Sequence, residues 1–326
     1  MRKSFFIMML ALVPAMLRAQ FAPAAGFAGT TAMHADSSAF VAWATGCTVE
    51  RGPQRIDRPS AGFASFGDET LALGVPGGTM DVISLGDGGI ATLTIASPIC
   101  NGEGPDFAVF ENGLVNAQDT TLCFLELGFV EVSSDGENFF RFPAVSKVQD
   151  TAQVSSFACV SATLIHNFAG KYEVMYGTPF DLDEVEDNAL LDKGKVTHVR
   201  IIDVVGCIDP QYATYDSEGH PVNDPWPTAF NSSGFDLDAV GVIHDLAHYD
   251  VPEQGEEVVS VYPNPVRNLL NVKAKGLQSV EVYNLVGQQV MVSRRPVLDL
   301  SSMTEGIYFV RIMSEGKTVT KRIVKQ

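Results

Sequence analysis

Turn signals rich in glycine and Asx residues recur so often through the first two thirds of this chain that they leave no room for long helices. Pro76-Gly77-Gly78, Gly86-Asp87-Gly88-Gly89, Asn101-Gly102-Glu103-Gly104 and Ser134-Asp135-Gly136 are examples. Glycine accepts positive φ at no steric cost, and an Asp or Asn carboxyl or amide closes a local turn. Between such signals lie short segments rich in β-branched and aromatic residues. Residues 90–95, 107–110, 122–133, 139–142, 196–205 and 235–243 are expected strands. Residues 37–48 stand apart as an expected short helix, with Ser37 or Ser38 as its cap. Many short strands and little helix predict an all-β fold with a β-sandwich as its main domain.

The chain has 326 residues, enough for two domains, and an apolar fraction of 46% that allows a sizeable core. A polar stretch at residues 248–257, with Pro252 and Gly255, reads as a linker. It separates a domain at 20–247 from a smaller one at 258–326. Past the linker, strands are expected at 269–273, 279–284, 288–293, 307–313 and 318–324, which make a small second sandwich. The net charge of -17 is unevenly placed. Residues 255–326 hold 10 basic and 6 acidic side chains, leaving 12 basic and 33 acidic before them. So acidic a domain excludes nucleic acid and anionic membrane as partners, since both are bound by Lys and Arg.

Residues 1–19 have the layout of a Sec signal peptide. Arg2 and Lys3 precede an apolar run at 5–16, and Ala19-Gln20 is the expected cleavage point. That run is too short to span a bilayer as a helix of ~20 residues. No other stretch is long enough, so no transmembrane helix is expected. The first cysteine is Cys47, too far along to carry a lipoprotein anchor. Cys47, Cys100, Cys123, Cys159 and Cys207 are odd in number and form no C-x-x-C pair, which argues against zinc. They are read as buried small side chains, with one or two disulfide bridges as the option an oxidising compartment allows.

The C-terminal segment carries a dense set of motifs. Tyr262-Pro263-Asn264-Pro265 brackets Asn264 between two prolines, an extended entry that cannot prolong a ladder. Asn268-Leu269-Leu270-Asn271-Val272 follows, then Val282-Tyr283-Asn284-Leu285-Val286-Gly287-Gln288, a hairpin connection in which Gly287 can take positive φ. Leu298-Asp299-Leu300, Gly306-Ile307-Tyr308-Phe309-Val310-Arg311 and a basic end at 321–325 complete the pattern. In this order the elements resemble the type A C-terminal sorting domain of type IX secretion cargo. That resemblance implies an Ig-like sandwich, contact with the secretion machinery and its C-terminal signal peptidase, and attachment at the outer-membrane surface or release.

Residues 40–245 resemble cell-surface β-sandwich proteins of Bacteroidota, through residues 43–47, Ser84-Leu85-Gly86-Asp87-Gly88-Gly89, residues 101–113 and residues 234–241. The Ser84 and Asn101 motifs are also distantly similar to surface proteins encoded beside cobalamin-uptake genes. The resemblance implies a jelly-roll-like sandwich and no defined activity.

Three acidic groups are candidates for chemistry. Asp216, Asn223 and Asp224 bound a Gly-containing loop whose oxygens suit Ca²⁺, which takes ~6–8 hard oxygen ligands. An Asx-turn network explains the same loop without metal. Asp236 and Asp238 fall on one face of an expected strand, where paired carboxylates need a cation or donors. Asp106 flanks the strand at 107–110 opposite Glu111 and Asn112, and turn roles are the rival reading. His244 and His248 have the i,i+4 spacing of a zinc helix, but they adjoin the linker and lack the H-E-x-x-H glutamate. Trp226, Tyr212 and Tyr215, with Trp43, are the aromatics available to a ligand. There is no G-x-S-x-G elbow, phosphate loop or dinucleotide fingerprint. The expectation is an exported, non-catalytic binding protein for a glycan or a small nutrient such as a cobamide, with Ca²⁺ holding its loops. The rival readings are an Asp/Glu enzyme acting on extracellular polysaccharide and a structural or adhesive surface protein.

Overall fold

A computed structural model describes residues 21–248, 259–285, 287–314 and 317–326. The expected leader at 1–19 lies outside the described residues, as does the expected linker apart from His248. The chain divides into two compact units, Met1–Asp250 and Val251–Gln326.

The first unit is an antiparallel β-sandwich. One sheet runs Met33–His34, Tyr176–Phe180, Phe107–Glu111, Asp236–Val242 and Ala42–Trp43, with Ile83–Ser84 also paired to Asp236–Val242. The other runs Phe140–Arg141, Gly128–Ser133, Val196–Asp203, Ile90–Ile99 and Gly46–Glu50. The long strands alternate between the sheets along the sequence, starting with Ile90–Ile99 in one and Phe107–Glu111 in the other. That alternation gives the jelly-roll-like wind. Period-2 patterning supplies the core between the layers. Leu93, Val130, Val132, Val199 and Ile201 meet Phe107, Val109, Leu237, Val240 and Val242. A second apolar cluster, with Leu125, Leu127, Phe129 and Phe168, lies beside it.

Two expectations are corrected here. Residues 37–48 do not form a helix. Ala42–Trp43 pairs with Asp236–Val242, and Gly46–Glu50 pairs with Ile90–Ile99. Ladder bonds and the packing of Trp43 and Phe40 against Phe110 outweigh local helix signals there. The described residues contain no α-helix, only short 3-10 turns such as Ala162–Leu164. Residues 122–133 are not one strand either. Leu122–Phe124 joins a small three-stranded sheet, and Gly128–Ser133 joins the sandwich.

The second unit is a small sandwich of a three-stranded and a four-stranded antiparallel sheet. Ser260–Tyr262, Leu269–Lys273 and Val297–Asp299 form the first; Gln289–Ser293, Leu277–Asn284, Gly306–Ser314 and Lys317–Lys325 form the second. Tyr308, Val310 and Ile312 turn inward with Val280, Val282 and Ile323. Gly287 has φ 79, as the hairpin connection requires, and its N–H donates to the Asn284 carbonyl at 3.0 Å.

Candidate functional site

Eleven Asp and Glu side chains of the first unit are buried. Most serve as fasteners for loops, because a carboxylate can accept several backbone N–H groups that would otherwise be orphaned. Asp203 accepts from Phe235 N and Gly88 N, and Asp87 from Ile56 N and the Trp226 indole. Three accept no backbone N–H: Glu131 pairs with Arg141 and Arg200, Asp236 takes side-chain donors, and Glu126 takes none.

The expected metal ligands fall among the fasteners. Asp216 accepts from the N–H groups of Glu218, His220 and Ser146 at 2.9, 2.9 and 3.0 Å. Asn223 accepts from Val154 N and donates to the carbonyls of Gln149 and Ala152. Asp224 accepts from Leu127 N. Asp238 accepts from Gly77 N and Gly78 N at 2.8 and 3.2 Å. Asp106 ties together Gly102 N, Leu182 N and the His244 Nδ1–H. The loops expected to need Ca²⁺ are thus held by protein donors. Among the described residues, no three His, Cys, Asp or Glu side chains are grouped so as to hold a metal ion. His248 bonds Asp245 within a turn rather than standing on a helix with His244. The five cysteines are free thiols.

Asp236 and Asp238 lie on one strand, whose register with Phe107–Glu111 shifts between Leu237 and Ala239, and both are buried. Asp236–Val242 is an interior strand, flanked by Phe107–Glu111 on one edge and by Ile83–Ser84 and Ala42–Trp43 on the other. Asp236 accepts from the Ser84 hydroxyl and from Asn112 Nδ2.

Asp236 also lines a cavity of about 340 Å³. Phe124, Phe157, Phe230 and Leu114 form its apolar wall, and Thr79, Asn112, Thr228 and Ser232 add polar groups. The Phe157 ring lies 6.4 Å from Phe124 and 5.8 Å from Phe230, centroid to centroid, and Phe157 is 72% exposed. Facing them is Glu126, in the break between Leu122–Phe124 and Gly128–Ser133. Glu126 is 6% exposed, its Oε1 is sealed from solvent, and no described donor reaches its carboxyl. It alone among the described buried acids has no hydrogen-bond partner.

The electrostatics follow from this geometry. Burial pushes Glu126 well above the usual carboxylate range, and the charges of Asp236, Glu111, Asp224 and Asp203 push it further. Burial pushes Asp236 up to about 6, against the bonds from Ser84 and Asn112 and the charge of Arg51. Glu111 is also raised, by burial and by Asp236, although Gly113 N donates to it at 2.7 Å. Acids crowded in this way share protons, so the cavity floor can both donate and accept hydrogen bonds near neutral pH.

The backbone under Glu126 is tightly specified. Gly170 has φ +77, and a Cβ there would lie 2.0 Å from the Glu126 carbonyl oxygen. Of the residues named from sequence, Asp236 and Asn112 reach the cavity. Trp226 is held by Asp87 and stacks under Arg55, and neither it, Tyr212 nor Tyr215 lines the wall. The missed residues are Glu126, Phe124, Phe157 and Phe230. Phe157 and Phe230 are aromatics in loops, where there is no periodicity to find.

Fold and second unit together define a β-sandwich protein exported to the cell surface or the extracellular space. Residues 260–326 match the secretion system C-terminal sorting domain family, so the chain carries a type IX sorting domain that engages that machinery. No described helix is long and apolar enough to cross a membrane. The chain is similar to β-agarase D of Zobellia galactanivorans, 32% identical over 108 residues, a stretch covering 32% of this chain and 21% of that protein. It therefore spans about a fifth of the length of the curated relative it matches.

Proposed function

We propose that this is an exported cell-surface glycan-binding protein, and that the cavity between Phe157 and Glu126 is its sugar site. The observation that carries the reading is Glu126, a buried carboxyl left without a donor and facing an aromatic wall. A sugar ring offers what both halves lack: C–H groups to lie on Phe124, Phe157 and Phe230, and hydroxyls to bond Glu126, Asp236 and Asn112. A volume of about 340 Å³ suits one or two sugar residues better than a whole corrinoid, so the glycan reading is preferred to a cobamide. The agarase relative supports a galactan among the ligands to try first.

Affinity electrophoresis through agarose and other galactans, and titration with their oligosaccharides, tests the proposal. Wild type is expected to be retarded, and Glu126→Gln and Phe157→Ala to run freely. A wild type that none of a broad set of neutral oligosaccharides retards, or a Phe157→Ala variant retarded equally, would overturn it.

One observation favours a second reading, as a polysaccharide-active enzyme. Burial raises the proton affinity of both Glu126 and Asp236, and the Asp236 charge raises that of Glu126 further, the arrangement from which glycosidases draw an acid and a base. New reducing ends, made by wild type and not by Glu126→Gln, would establish that reading over simple binding.

A further inference from the structure

A second cavity of the first unit, about 570 Å³, has the opposite character, and no residue lines both. Phe21, Ala22, Met33, Pro105 and Pro179 give it apolar walls. Lys171 and Thr178 also line it, and each is only 4% exposed. Thr178 Oγ1 is sealed from solvent with no partner. Lys171 forms no hydrogen bond or ion pair with any described residue; its ammonium lies 5.4 Å from the centroid of the Tyr172 ring.

Lys171 is the one buried basic side chain described in the first unit, set against eleven buried acids, and none of them is paired with it. Asp181 and Glu184 stand on the same cavity wall, but Asp181 caps its own turn at Asp183 N and Glu184 takes the Asn167 amide. A buried charge is normally paired, because leaving water without compensation is costly. Two polar groups from separate segments, both buried and without a described hydrogen-bond partner, belong to residues that line one cavity, alongside Thr31, His166 and Asn167.

The geometry points to a second binding site, where Lys171 and Thr178 hold the carboxylate of a small organic monoanion whose body fills the cavity. One ammonium neutralises one negative charge. The Asp181 and Glu184 carboxyls on the same wall oppose a second, which disfavours phosphate dianions. A charge-assisted bond from Lys171 and a bond from the Thr178 hydroxyl match the two oxygens of a carboxylate.

Titration calorimetry of the full chain at neutral pH, with hexanoate, glucuronate and inorganic phosphate as probes, tests this. At least one carboxylate is expected to bind in the millimolar range or tighter, and phosphate is not. Lys171→Met should weaken that binding roughly tenfold or more, the scale of one charge-assisted bond. Thr178→Val should weaken it severalfold and keeps the test open if the first variant fails to fold. Which carboxylate wins shows whether the ligand body is apolar or hydroxylated. No heat from either carboxylate at concentrations on the order of 10 mM would overturn the inference. So would phosphate binding as tightly, or binding unchanged in both variants.

Discussion

Replacing Lys171 by methionine should make the protein more stable, although it removes a charge from a chain already short of basic residues. Methionine nearly matches the lysine stem in length and volume, so packing is preserved. What disappears is an ammonium that gives up water on folding and gains no described ion pair or hydrogen bond. Burial lowers its pKa from 10.5 to about 8. At about 1.4 kcal/mol for each tenfold change in proton affinity, the native state carries the charge at a cost of about 3 kcal/mol. Below pH 8 both folded and unfolded chains are protonated, and that cost is borne in full. Between about 8 and 10.5 the native state sheds the proton while the unfolded state keeps it, so wild-type stability climbs with pH. Above that window both are neutral and the cost is gone. The variant should therefore gain about 3 kcal/mol at pH 7, roughly 6–12 °C in melting temperature for a unit of this size, and almost nothing near pH 10.5. Urea titrations of both proteins at several pH values measure the difference directly. Tyr172 is common to both proteins, whereas His166, which burial and the Lys171 charge hold below its usual pKa, loses that repulsion in the variant, so the comparison is read between pH 8 and 10.5, above the histidine range. A variant less stable than wild type at pH 7, or a gain that does not shrink as the pH rises, would refute the reasoning.

Gly170→Ala should destabilise the first unit by about 2 kcal/mol or more, since it combines positive φ with a Cβ 2.0 Å from the Glu126 carbonyl oxygen; a thermal melt measures this. Burial raises Asp87, Asp236 and Asp238 from 3.8 to about 6, so the native state binds more protons than the unfolded chain in that interval. Their contribution is fully present below pH 3.8 and fades as the pH rises through 6, so Asp238→Asn should flatten the pH dependence of stability measured between pH 4 and 7. Deleting residues 258–326 should leave the protein in the periplasm, which surface labelling detects. The intact mass of the surface form is expected to lack the sorting domain, with cleavage within residues 251–257.

Much of the frame was legible because short β-branched and aromatic runs bounded by Gly and Asx turns mark strands, even where every residue is buried. Residues 107–110 and 235–243 appear as Phe107–Glu111 and Asp236–Val242, and the five strands expected in the C-terminal unit all form. Of the site only Asp236 and Asn112 were legible, for reasons that can be located. Leu125-Glu126-Leu127 alternates as a strand with an outward carboxyl would, yet the chain leaves the ladder there and the carboxyl is buried. Phe157 and Phe230 come from loops whose meeting is decided only by tertiary packing. Asp216 and Asp224 have the composition of a calcium loop and of an Asx-turn network alike; Asp216 caps its own turn at Glu218 N, while Asp224 reaches Leu127 N, a partner far away in sequence. At residues 37–48 local propensity pointed to a helix, and partners distant in sequence overruled it.

The wind of the first unit has a kinetic consequence. Ala42–Trp43 is bonded to Asp236–Val242, and Met33–His34 to Tyr176–Phe180, so the sheet closes only when segments far apart in sequence have met. Loop-closure entropy must be overcome before those contacts form, and chains dominated by such pairings fold on millisecond-to-second timescales at best. The domain therefore cannot mature piece by piece as it is synthesised or threaded through a membrane. Until residue 242 is available, the partial sheet exposes an unpaired edge of Phe107–Glu111, among the most apolar segments in the chain. The sandwich must then be kept from other chains during that interval, and a truncation at either end of it would yield an aggregating fragment rather than a smaller folded domain.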